Sequence, residues 1–223
     1  MIYKLSWDSD FFSKEIGKVE VIDTFDESSF YQQAKKYDMV YVFTSKPIDI
    51  KANLVDVKFI FEKKVHHDNK NKSAVKYFNN NLDDYNELLE LAYVSGHESR
   101  FKKDNFFGEE KFKKLYQKWL DKNLNESNHH VLVYKNYQRT VGFVSYQINA
   151  GEAAIHLIAV NPNYQGQGIG KKLIQAVENK LPELYKLNVP TQKDNKSACK
   201  FYENYGFTLK QKQYIYHFTN DSI

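Results

Sequence analysis

The residues most suited to binding a ligand are three glycines at alternate positions, where a predicted β-strand is followed by a predicted helix. They are Gly166, Gly168 and Gly170. The strand ends at Pro162, because proline cannot donate a hydrogen bond to a sheet. Behind the glycines, apolar residues recur at helical spacing, at Ile169, Leu173, Ile174, Val177 and Leu181. Glycines let the backbone approach a ligand closely, and the free N–H groups of a first helical turn point towards it. This junction therefore predicts an anion site.

Two familiar phosphate-binding loops do not fit the residues around these glycines. The loop lacks the Lys-Ser/Thr end of a P-loop, and its spacing differs from the G-x-G-x-x-G of a dinucleotide site. Lys171 and Lys172 follow in the first helical turn, where each cation opposes the helix macrodipole at a cost of roughly 0.3–1 kcal/mol. A bound pyrophosphate would reverse that sign. The alternative is that both lysines are solvated.

Composition excludes several classes of protein. With 223 residues, 42% of them hydrophobic and 27% charged, the chain is typical of a globular protein with one large or two small domains. We expect no membrane span, since no apolar run is long enough, and no signal peptide, since the N-terminus turns polar after Met1-Ile2-Tyr3-Lys4. The single cysteine, Cys199, rules out an intrachain disulfide and fits a reducing cytoplasm.

Charge and histidine spacing point away from nucleic acid and metal. The net charge of +4 is spread along the chain, with no basic block, so a nucleic-acid partner is not expected. The seven histidines show no ligand spacing, and we predict no metal. Almost all basic residues are lysines, and arginine occurs only at Arg100 and Arg139.

The elements that must position the glycine loop divide into two predicted units. Residues 1–70 predict a small α/β unit, in which short strands flank a helix capped by Ser28. Its stretch Trp7-Asp8-Ser9-Asp10-Phe11-Phe12 is either an exposed aromatic cluster or an N-terminal anchor packed into the core. The polar segment 66–72 marks the boundary to the second unit, residues 71–223.

The second unit predicts a mixed sheet with flanking helices. Two helices come first, over residues 82–94 and 109–123, joined by a loop over residues 95–101. A meander of three strands leads into the glycine loop and its helix. A strand that ends at Pro190, a helix with Asn195 at its N-cap, and two closing strands complete the chain.

Gln165-x-x-Gly168-x-Gly170, directly after a strand ending in Ala-Val, resembles the acyl-CoA pyrophosphate loop of the GCN5-related N-acetyltransferases (GNAT), written R/Q-x-x-G-x-G/A. The predicted order of elements over residues 75–223 is also that superfamily's order. The resemblance implies the α/β GNAT fold, with a smaller partial α/β domain before it, and acetyl-CoA as cosubstrate. It implies that the cofactor is bound by Ile158, Ala159, Val160, Gln165, Gly166, Gln167, Gly168, Ile169, Gly170, Lys171 and Asn195.

Acetyl transfer from a thioester to an amine needs a polarised carbonyl and a proton for the leaving thiolate. Backbone N–H groups of the strand Ile158-Ala159-Val160 would polarise the carbonyl, a contribution of roughly 3–4 kcal/mol. The resemblance makes Tyr202, seven residues after Asn195, the proton donor, and a phenol of pKa about 10 suits that role. By propensity alone, Tyr202 and Tyr205 are both core aromatics of a helix.

A covalent mechanism through Cys199 is not favoured by its surroundings. No histidine lies within a helical turn of it to lower the pKa of the thiol. Free cysteine is usually a small core residue, and we expect Cys199 to be one.

Five short motifs are similar to one branch of the superfamily, dTDP-fucosamine acetyltransferase and its relatives. They are Trp7-Asp8-Ser9-Asp10-Phe11-Phe12, Ser99-Arg100-Phe101, Leu115-Tyr116-x-x-Trp119, Thr191-Gln192 and Tyr214-Ile215-Tyr216. That branch carries a partial α/β domain before the catalytic one, as residues 1–70 would be here. The resemblance implies a nucleotide-linked 4-amino-4,6-dideoxy sugar as the acceptor.

The acceptor residues follow from the same resemblance, because the loop between the first two helices lines the acceptor pocket in this superfamily. Arg100 either binds a phosphate or carboxylate of the acceptor or forms a structural salt bridge. Glu98 and His97 are the nearest candidates to deprotonate the incoming amine, or are solvated. Gln192 completes the set through its motif.

The sequence thus predicts an acetyl-CoA-dependent N-acetyltransferase that works by direct attack in a ternary complex. Two alternatives stay open. One is an enzyme of the same fold that acts on a peptide, a polyamine or another small amine. The other is a CoA-binding module without turnover, which a Tyr202 buried far from the thioester would favour. The oligomeric state is left open, with a homodimer among the alternatives.

Overall fold

The computed structural model describes residues 1–22, 24–67 and 74–219. Its strands are β1 (Tyr3–Lys4), β2 (Ile16–Val21), β3 (Met39–Thr44), β4 (Asn53–Lys64), β5 (Val75–Tyr77), β6 (His129–Asn136), β7 (Arg139–Asn149), β8 (Glu152–Val160), β9 (Lys186–Gln192) and β10 (Thr208–Thr219). Its α-helices are α1 (Ser6–Phe12), α2 (Glu27–Ala34), α3 (Tyr85–Ser95), α4 (Arg100–Lys103), α5 (Gly108–Asn125), α6 (Ile169–Glu178) and α7 (Lys196–Tyr205). A 3-10 turn (Pro162–Tyr164) follows β8.

The strands form one mixed sheet in the order β1-β2-β3-β10-β4-β9-β8-β7-β6-β5. The predicted meander is present as the antiparallel strands β6, β7 and β8. The pairs β2–β3 and β8–β9 are parallel. A mixed central sheet with helices packed on it is the fold class that the sequence predicted.

β4 connects the two predicted units. It precedes the predicted boundary in sequence, yet it lies between β9 and β10 and pairs antiparallel with both. The prediction of two closing strands is wrong, because β10 is a single strand of 12 residues and β4 takes the place beside it. Part of the segment 66–72 lies outside the described residues, so the division into residues 1–70 and 71–223 stays a proposal.

The pairing of β8 with β9 stops early. The two strands pair only where Glu152–Ala154 face Lys186–Asn188. The prediction that β9 ends at Pro190 is wrong, since the strand continues to Gln192. Pro190 is tolerated there because this part of β9 pairs with β4 alone, so that its other side needs no hydrogen-bond donor. Beyond Ala154, therefore, β8 and β9 leave a gap in the sheet.

Two of the three apolar clusters among the described residues hold helices against the sheet around β8. One lies beneath α6 and α7, and the other lies beneath α3 and α5. β8 contributes to both, through Ile155 in the first and Leu157 in the second. Each fully buried side chain of this size stabilises the fold by about 1.5–3 kcal/mol. β8 is thus held from both helical layers, which fixes the wall of the gap.

The aromatic stretch from Trp7 to Phe12 is partly an anchor packed into the core and partly an exposed cluster. It forms α1, which places Phe12 in the core at 1% exposure. Trp7 remains half exposed and stacks on Phe11 with ring centroids 5.0 Å apart. α1 therefore anchors the first predicted unit against the helices of the second.

Two local predictions are corrected. The serine cap of α2 is wrong, because Asp26 is the N-cap and its side chain accepts a hydrogen bond from the Ser29 N–H. The predicted loop over residues 95–101 ends in the short helix α4, which begins at Arg100.

Candidate functional site

A cleft of about 400 Å³ lies at the glycine loop, between β8 and the helices α6 and α7. We call it the loop cleft. The residues that the resemblance implied for cofactor binding run from Ile158 to Lys171 and include Asn195. Every one of them except Gln167 lines the loop cleft. Lys172 is directed elsewhere, with its ammonium 5.0 Å from the ring centre of Tyr134.

The glycines of the loop serve different purposes. Gly168 is the N-cap of α6 and has φ of +74°, a conformation that other residues adopt only with strain. A Cβ atom at Gly168 would meet no atom within 4 Å, so the space beside it is open to a ligand. At Gly170, a Cβ atom would lie 3.2 Å from the Phe201 ring, so this glycine lets α6 approach α7. The N-terminus of α6 therefore faces the cleft with exposed backbone.

Two of the predicted ligand residues use their side chains to shape the cleft. The Gln165 amide donates to the Val160 carbonyl at 3.1 Å, which folds the loop back onto its strand. The Asn195 side-chain oxygen accepts from the Ala198 N–H at 3.1 Å, which is the predicted N-cap. Both side chains therefore fix the shape of the cleft through hydrogen bonds to the backbone.

The strand wall of the loop cleft has free backbone groups. Ile158, Ala159 and Val160 pair with β7 on one side. Among the described residues, no strand pairs with their other side, because β9 has already diverged. Such an open edge can take up an extended ligand through main-chain hydrogen bonds.

A second cavity of about 430 Å³ adjoins the loop cleft, and we call it the central cavity. It is enclosed by β4, β8, β9 and the helices α3, α4, α5 and α7. Five residues line both spaces, namely Ser95, Ile158, Asn195, Ala198 and Tyr202. The gap between β8 and β9 thus opens into two adjoining spaces.

Tyr202 lies where the two spaces meet. It is 3% exposed, and it packs against Phe61 and Phe207 in the cluster beneath α6 and α7. Burial raises the pKa of its phenol well above the usual value, and the nearby Cys199 adds to the rise. The group is therefore protonated at neutral pH, and the residue lines both spaces.

Cys199 lines neither space. Its thiol lies 3.6 Å from the Gln192 carbonyl oxygen, and burial raises its pKa. A protonated thiol outside the cavities is not placed to act as a nucleophile.

Charged side chains concentrate in the central cavity. Asp56 and Lys58 project into it from β4, and Arg100 reaches it from α4. Burial raises the pKa of Asp56 to about 6, although Arg100 opposes the shift. Burial also lowers the pKa of Lys58, and the charge of Arg100 adds to that effect. The cavity is therefore polar but poorly solvated.

Arg100 has no carboxylate at ion-pair distance among the described residues. Its guanidinium lies 4.3 Å from the ring centre of Phe101 and 5.3 Å from that of Tyr41. Its Nε is buried and has no hydrogen-bond partner in the described part of the chain. The other arginine, Arg139, is exposed and pairs with Glu87. A buried, unpaired donor is costly unless a ligand satisfies it.

Of the three other residues predicted to bind the acceptor, one lies in the central cavity and two lie outside it. Gln192 lines the central cavity. His97 is exposed, and Glu98 pairs with Lys103 at 2.6 Å, which lowers the pKa of that carboxyl. Neither His97 nor Glu98 lines the central cavity or the loop cleft.

Sequence reasoning missed several polar residues of the central cavity, among them Asp56, Lys58 and His156. Asp56 and Lys58 occupy alternate positions of the otherwise apolar stretch 54–61, which puts both charges on one face. That pattern was visible in the sequence, but nothing in it showed that β4 would lie beside β9. His156 stands inside the apolar strand before the glycine loop, and a polar residue there was the available signal.

The described residues contain neither a cluster of metal ligands nor a membrane-spanning helix. No group of three or more His, Cys, Asp or Glu side chains in the described part of the chain is placed to hold a metal ion. None of its helices is long and apolar enough to cross a bilayer.

Comparison with known proteins agrees with this geometry. The model of the acetyltransferase (GNAT) family matches residues 87–207, a little over half of the chain. The spore coat polysaccharide biosynthesis protein SpsD of Bacillus subtilis is 29% identical over 137 residues, covering 60% of this chain and 47% of its own. An uncharacterized N-acetyltransferase of Methanocaldococcus jannaschii is 32% identical over 144 residues, covering 58% of each. The chain spans about half the length of these curated relatives.

Solved structures share the fold. A functionally unknown conserved protein of Staphylococcus epidermidis has a TM-score of 0.74 at 14% identity, covering 98% of this chain and 90% of its own. A putative acetyltransferase of the GNAT family from Novosphingobium aromaticivorans has a TM-score of 0.52 at 14% identity, covering 81% of this chain and 73% of its own. The first likeness extends over both predicted units.

Proposed function

Because the chain belongs to the acetyltransferase (GNAT) family, we propose that it transfers an acetyl group from acetyl-CoA to the amine of a nucleotide-linked amino sugar. The transfer is a direct attack within a ternary complex. The observation that carries this proposal is the position of Tyr202, a buried and protonated phenol at the junction of two adjoining spaces. A group that serves two substrates must be reachable from both.

The loop cleft has the features that acetyl-CoA requires. The open space beside Gly168 and the N-terminus of α6 suit a pyrophosphate, and Lys171 adds a positive charge at the same place. The unpaired edge of β8 suits the amide groups of an extended pantetheine arm. When bound, acetyl-CoA supplies an activated acetyl thioester. The backbone N–H groups of that edge would polarise its carbonyl.

The chain's own groups then move protons. The neutral amine of the acceptor forms a bond to the acetyl carbon while the carbon–sulfur bond breaks, and the nitrogen gives up one proton to a base. The Tyr202 hydroxyl donates a proton to the departing thiolate, whose conjugate acid has a pKa of roughly 8.5. The phenolate of Tyr202 is returned to its neutral form by solvent.

The acceptor enters through the central cavity. Arg100 offers a buried Nε with no partner in the described part of the chain, and Lys58 lies in the same cavity. Together they favour an acceptor that carries negative charge, such as a sugar linked to a nucleotide diphosphate. The relative in spore coat polysaccharide biosynthesis supports an acceptor of the sugar class.

A panel of amines assayed with acetyl-CoA tests the proposal. It contains dTDP-4-amino-4,6-dideoxygalactose, its free sugar, spermidine and a short peptide. We expect the nucleotide-linked sugar to give the highest kcat/KM and the free sugar to be poor. Preference for spermidine or the peptide would overturn the acceptor and leave an acetyltransferase of other specificity. Binding of acetyl-CoA with turnover of no amine would favour a module without catalytic activity.

A further inference from the structure

His156 is the extra residue of a β-bulge in the wall of the central cavity. On β8, Ile155 faces Tyr146 of β7 and Leu157 faces Ser145, so His156 has no partner opposite it. Bulges of this kind redirect a side chain and are frequent beside active sites. The His156 side chain lines the central cavity, and two residues further along, Ile158 lines both spaces. His156 is thus two residues along β8 from Ile158, which borders both spaces as Tyr202 does.

The tautomer of His156 is fixed by a side chain on α5. Asn123 is 4% exposed, and its amide nitrogen donates to the Trp119 carbonyl at 2.6 Å. Its amide oxygen therefore faces Nδ1 of His156, at 3.1 Å. Because an amide oxygen can only accept, Nδ1 must carry the ring proton. That leaves Nε2 as an unprotonated acceptor, and no group in the described residues hydrogen-bonds to it.

The surroundings keep the His156 ring neutral. The residue is exposed to the cavity, but partial burial of its ring lowers the pKa of His156, and the charges of His129 and Lys122 bring it down to about 4. The His129 ring centre lies 5.1 Å away, and Glu126 opposes the shift. The ring remains accessible through the cavity that it lines. At neutral pH the imidazole is therefore uncharged, with an unprotonated Nε2.

We propose that Nε2 of His156 accepts the proton that the acceptor nitrogen loses, and that Asn123 is a positioning residue that holds the ring in the required tautomer. The inference rests on the proposed acetyl transfer and names the group that the mechanism lacked. One proton passes from nitrogen to His156, and another passes from Tyr202 to sulfur. Solvent then removes the proton from His156 and returns a proton to Tyr202, so that both residues regain their starting states.

Imidazole ¹⁵N NMR tests the tautomer without any acceptor, with the His156 signals assigned by their loss in His156→Gln. We expect the neutral ring to carry its proton on Nδ1, with a pKa well below that of a free histidine. In Asn123→Leu the preference for Nδ1–H should disappear. A wild-type ring that is protonated on Nε2, or that titrates like free histidine, would overturn the proposal whatever the acceptor proves to be.

Single-turnover kinetics with acetyl-CoA and dTDP-4-amino-4,6-dideoxygalactose test the role. His156→Gln should lower the rate at pH 7 by roughly a hundredfold or more, at unchanged affinity for acetyl-CoA. The loss should shrink as the pH rises, because hydroxide then takes the proton of the attacking nitrogen in place of the imidazole. His130→Gln is the matched control, since His130 also lies on a strand, has a pKa lowered by burial, and lines neither space. It should keep the wild-type rate, and an equal loss in both variants would contradict the assignment.

The variant Asn123→Asp tests whether Asn123 positions the His156 ring or only packs against it. A carboxylate in this place still accepts from Nδ1–H, but it raises the pKa of His156. The acid limb of the single-turnover profile should therefore move to higher pH, while the rate on the plateau is kept. An unmoved acid limb would refute the link from Asn123 to His156. If wild type binds acetyl-CoA but does not acetylate this sugar, the proposed acceptor fails, and the NMR result alone decides the tautomer.

Discussion

The loop cleft and the central cavity meet at Tyr202 but are built in opposite ways. The loop cleft is made mostly by one continuous stretch, from Ile158 to Lys171, and offers backbone groups. The central cavity draws on strands and helices from both predicted units and offers charged side chains, among them Asp56 and Arg100. A site made of backbone is governed by local glycine spacing, whereas a site made of side chains depends on the order of strands in the sheet.

The difference predicts how each space responds to substitution. A change in the loop cleft should abolish binding of the donor and leave the acceptor unaffected. A change in the central cavity should act on the acceptor or on chemistry and leave the affinity for acetyl-CoA intact. The following predictions test this separation, beginning with the largest effect.

Gly168→Trp should abolish binding of acetyl-CoA, because the indole would occupy the open space beside the N-terminus of α6. Titration calorimetry should show micromolar binding by wild type and an affinity reduced by roughly a hundredfold or more in the variant. Gly151→Trp is the matched control, since Gly151 has a similar φ of +77° and open space around it, in a hairpin away from the cleft. Both variants carry backbone strain of about 1–2 kcal/mol. Equal affinities in the two would contradict the placement of the pyrophosphate.

Tyr202→Phe should lower single-turnover rates by roughly 10²–10⁴-fold, as expected for the loss of a general acid, with acetyl-CoA affinity almost unchanged. Tyr205→Phe is the control on the same helix, because Tyr205 donates to Glu178 and lines neither space. It should affect the melting temperature rather than the rate. Cys199→Ala should retain the wild-type rate. Near-normal turnover by Tyr202→Phe would reduce Tyr202 to a packing residue.

Arg100→Lys should raise the KM of the nucleotide-linked sugar about tenfold or more, for a lost charge-assisted contact of roughly 1.5–3 kcal/mol. The KM of acetyl-CoA should hardly change. Arg139→Lys serves as the control, because its ion pair with Glu87 is exposed. An unchanged KM for the sugar would make Arg100 a structural cation that stacks on its aromatic neighbours.

Asp56→Asn should stabilise the free protein at high pH only. The pKa of Asp56 is about 6 in the fold, above the ordinary value of 3.8, because burial disfavours the ionised form. Its stabilising contribution is therefore complete below pH 3.8 and is lost as the pH rises through about 6. The variant's melting temperature should exceed that of wild type by about 2–5 °C at pH 8 and match it near pH 4. Asp49→Asn, at an exposed site, should show no such trend, and a gain at pH 4 would contradict the cause.

The sequence predicted the loop cleft better than the central cavity for a physical reason. The signals at Gly168 and Asn195 are local, since the first starts a helix and the second caps one. The gap between β8 and β9 and the entry of β4 beside β9 are long-range events that no periodicity encodes. Asp56 and Lys58 were therefore read as part of a remote unit, and His97 was given a place in the pocket that the structure does not give it.

Arg100 is a site residue that amino-acid composition predicted without any knowledge of the order of strands in the sheet. It was singled out because the chain otherwise uses lysine, and the structure places it in the central cavity with an unpaired Nε. His156 shows the opposite case, since its significance depends on a bulge and on Asn123 of a different helix. Neither feature has a signature in the strand that carries His156.

Binding calorimetry with CoA, which cannot react, tests most directly whether the two spaces hold donor and acceptor together. The protein is first saturated with CoA, and dTDP-4-amino-4,6-dideoxygalactose is then titrated into the complex. Two adjoining spaces that meet at Tyr202 predict one-to-one binding of the sugar nucleotide with CoA still bound. Displacement of CoA by the sugar nucleotide, or no binding to the saturated protein, would contradict a ternary complex built on these two spaces.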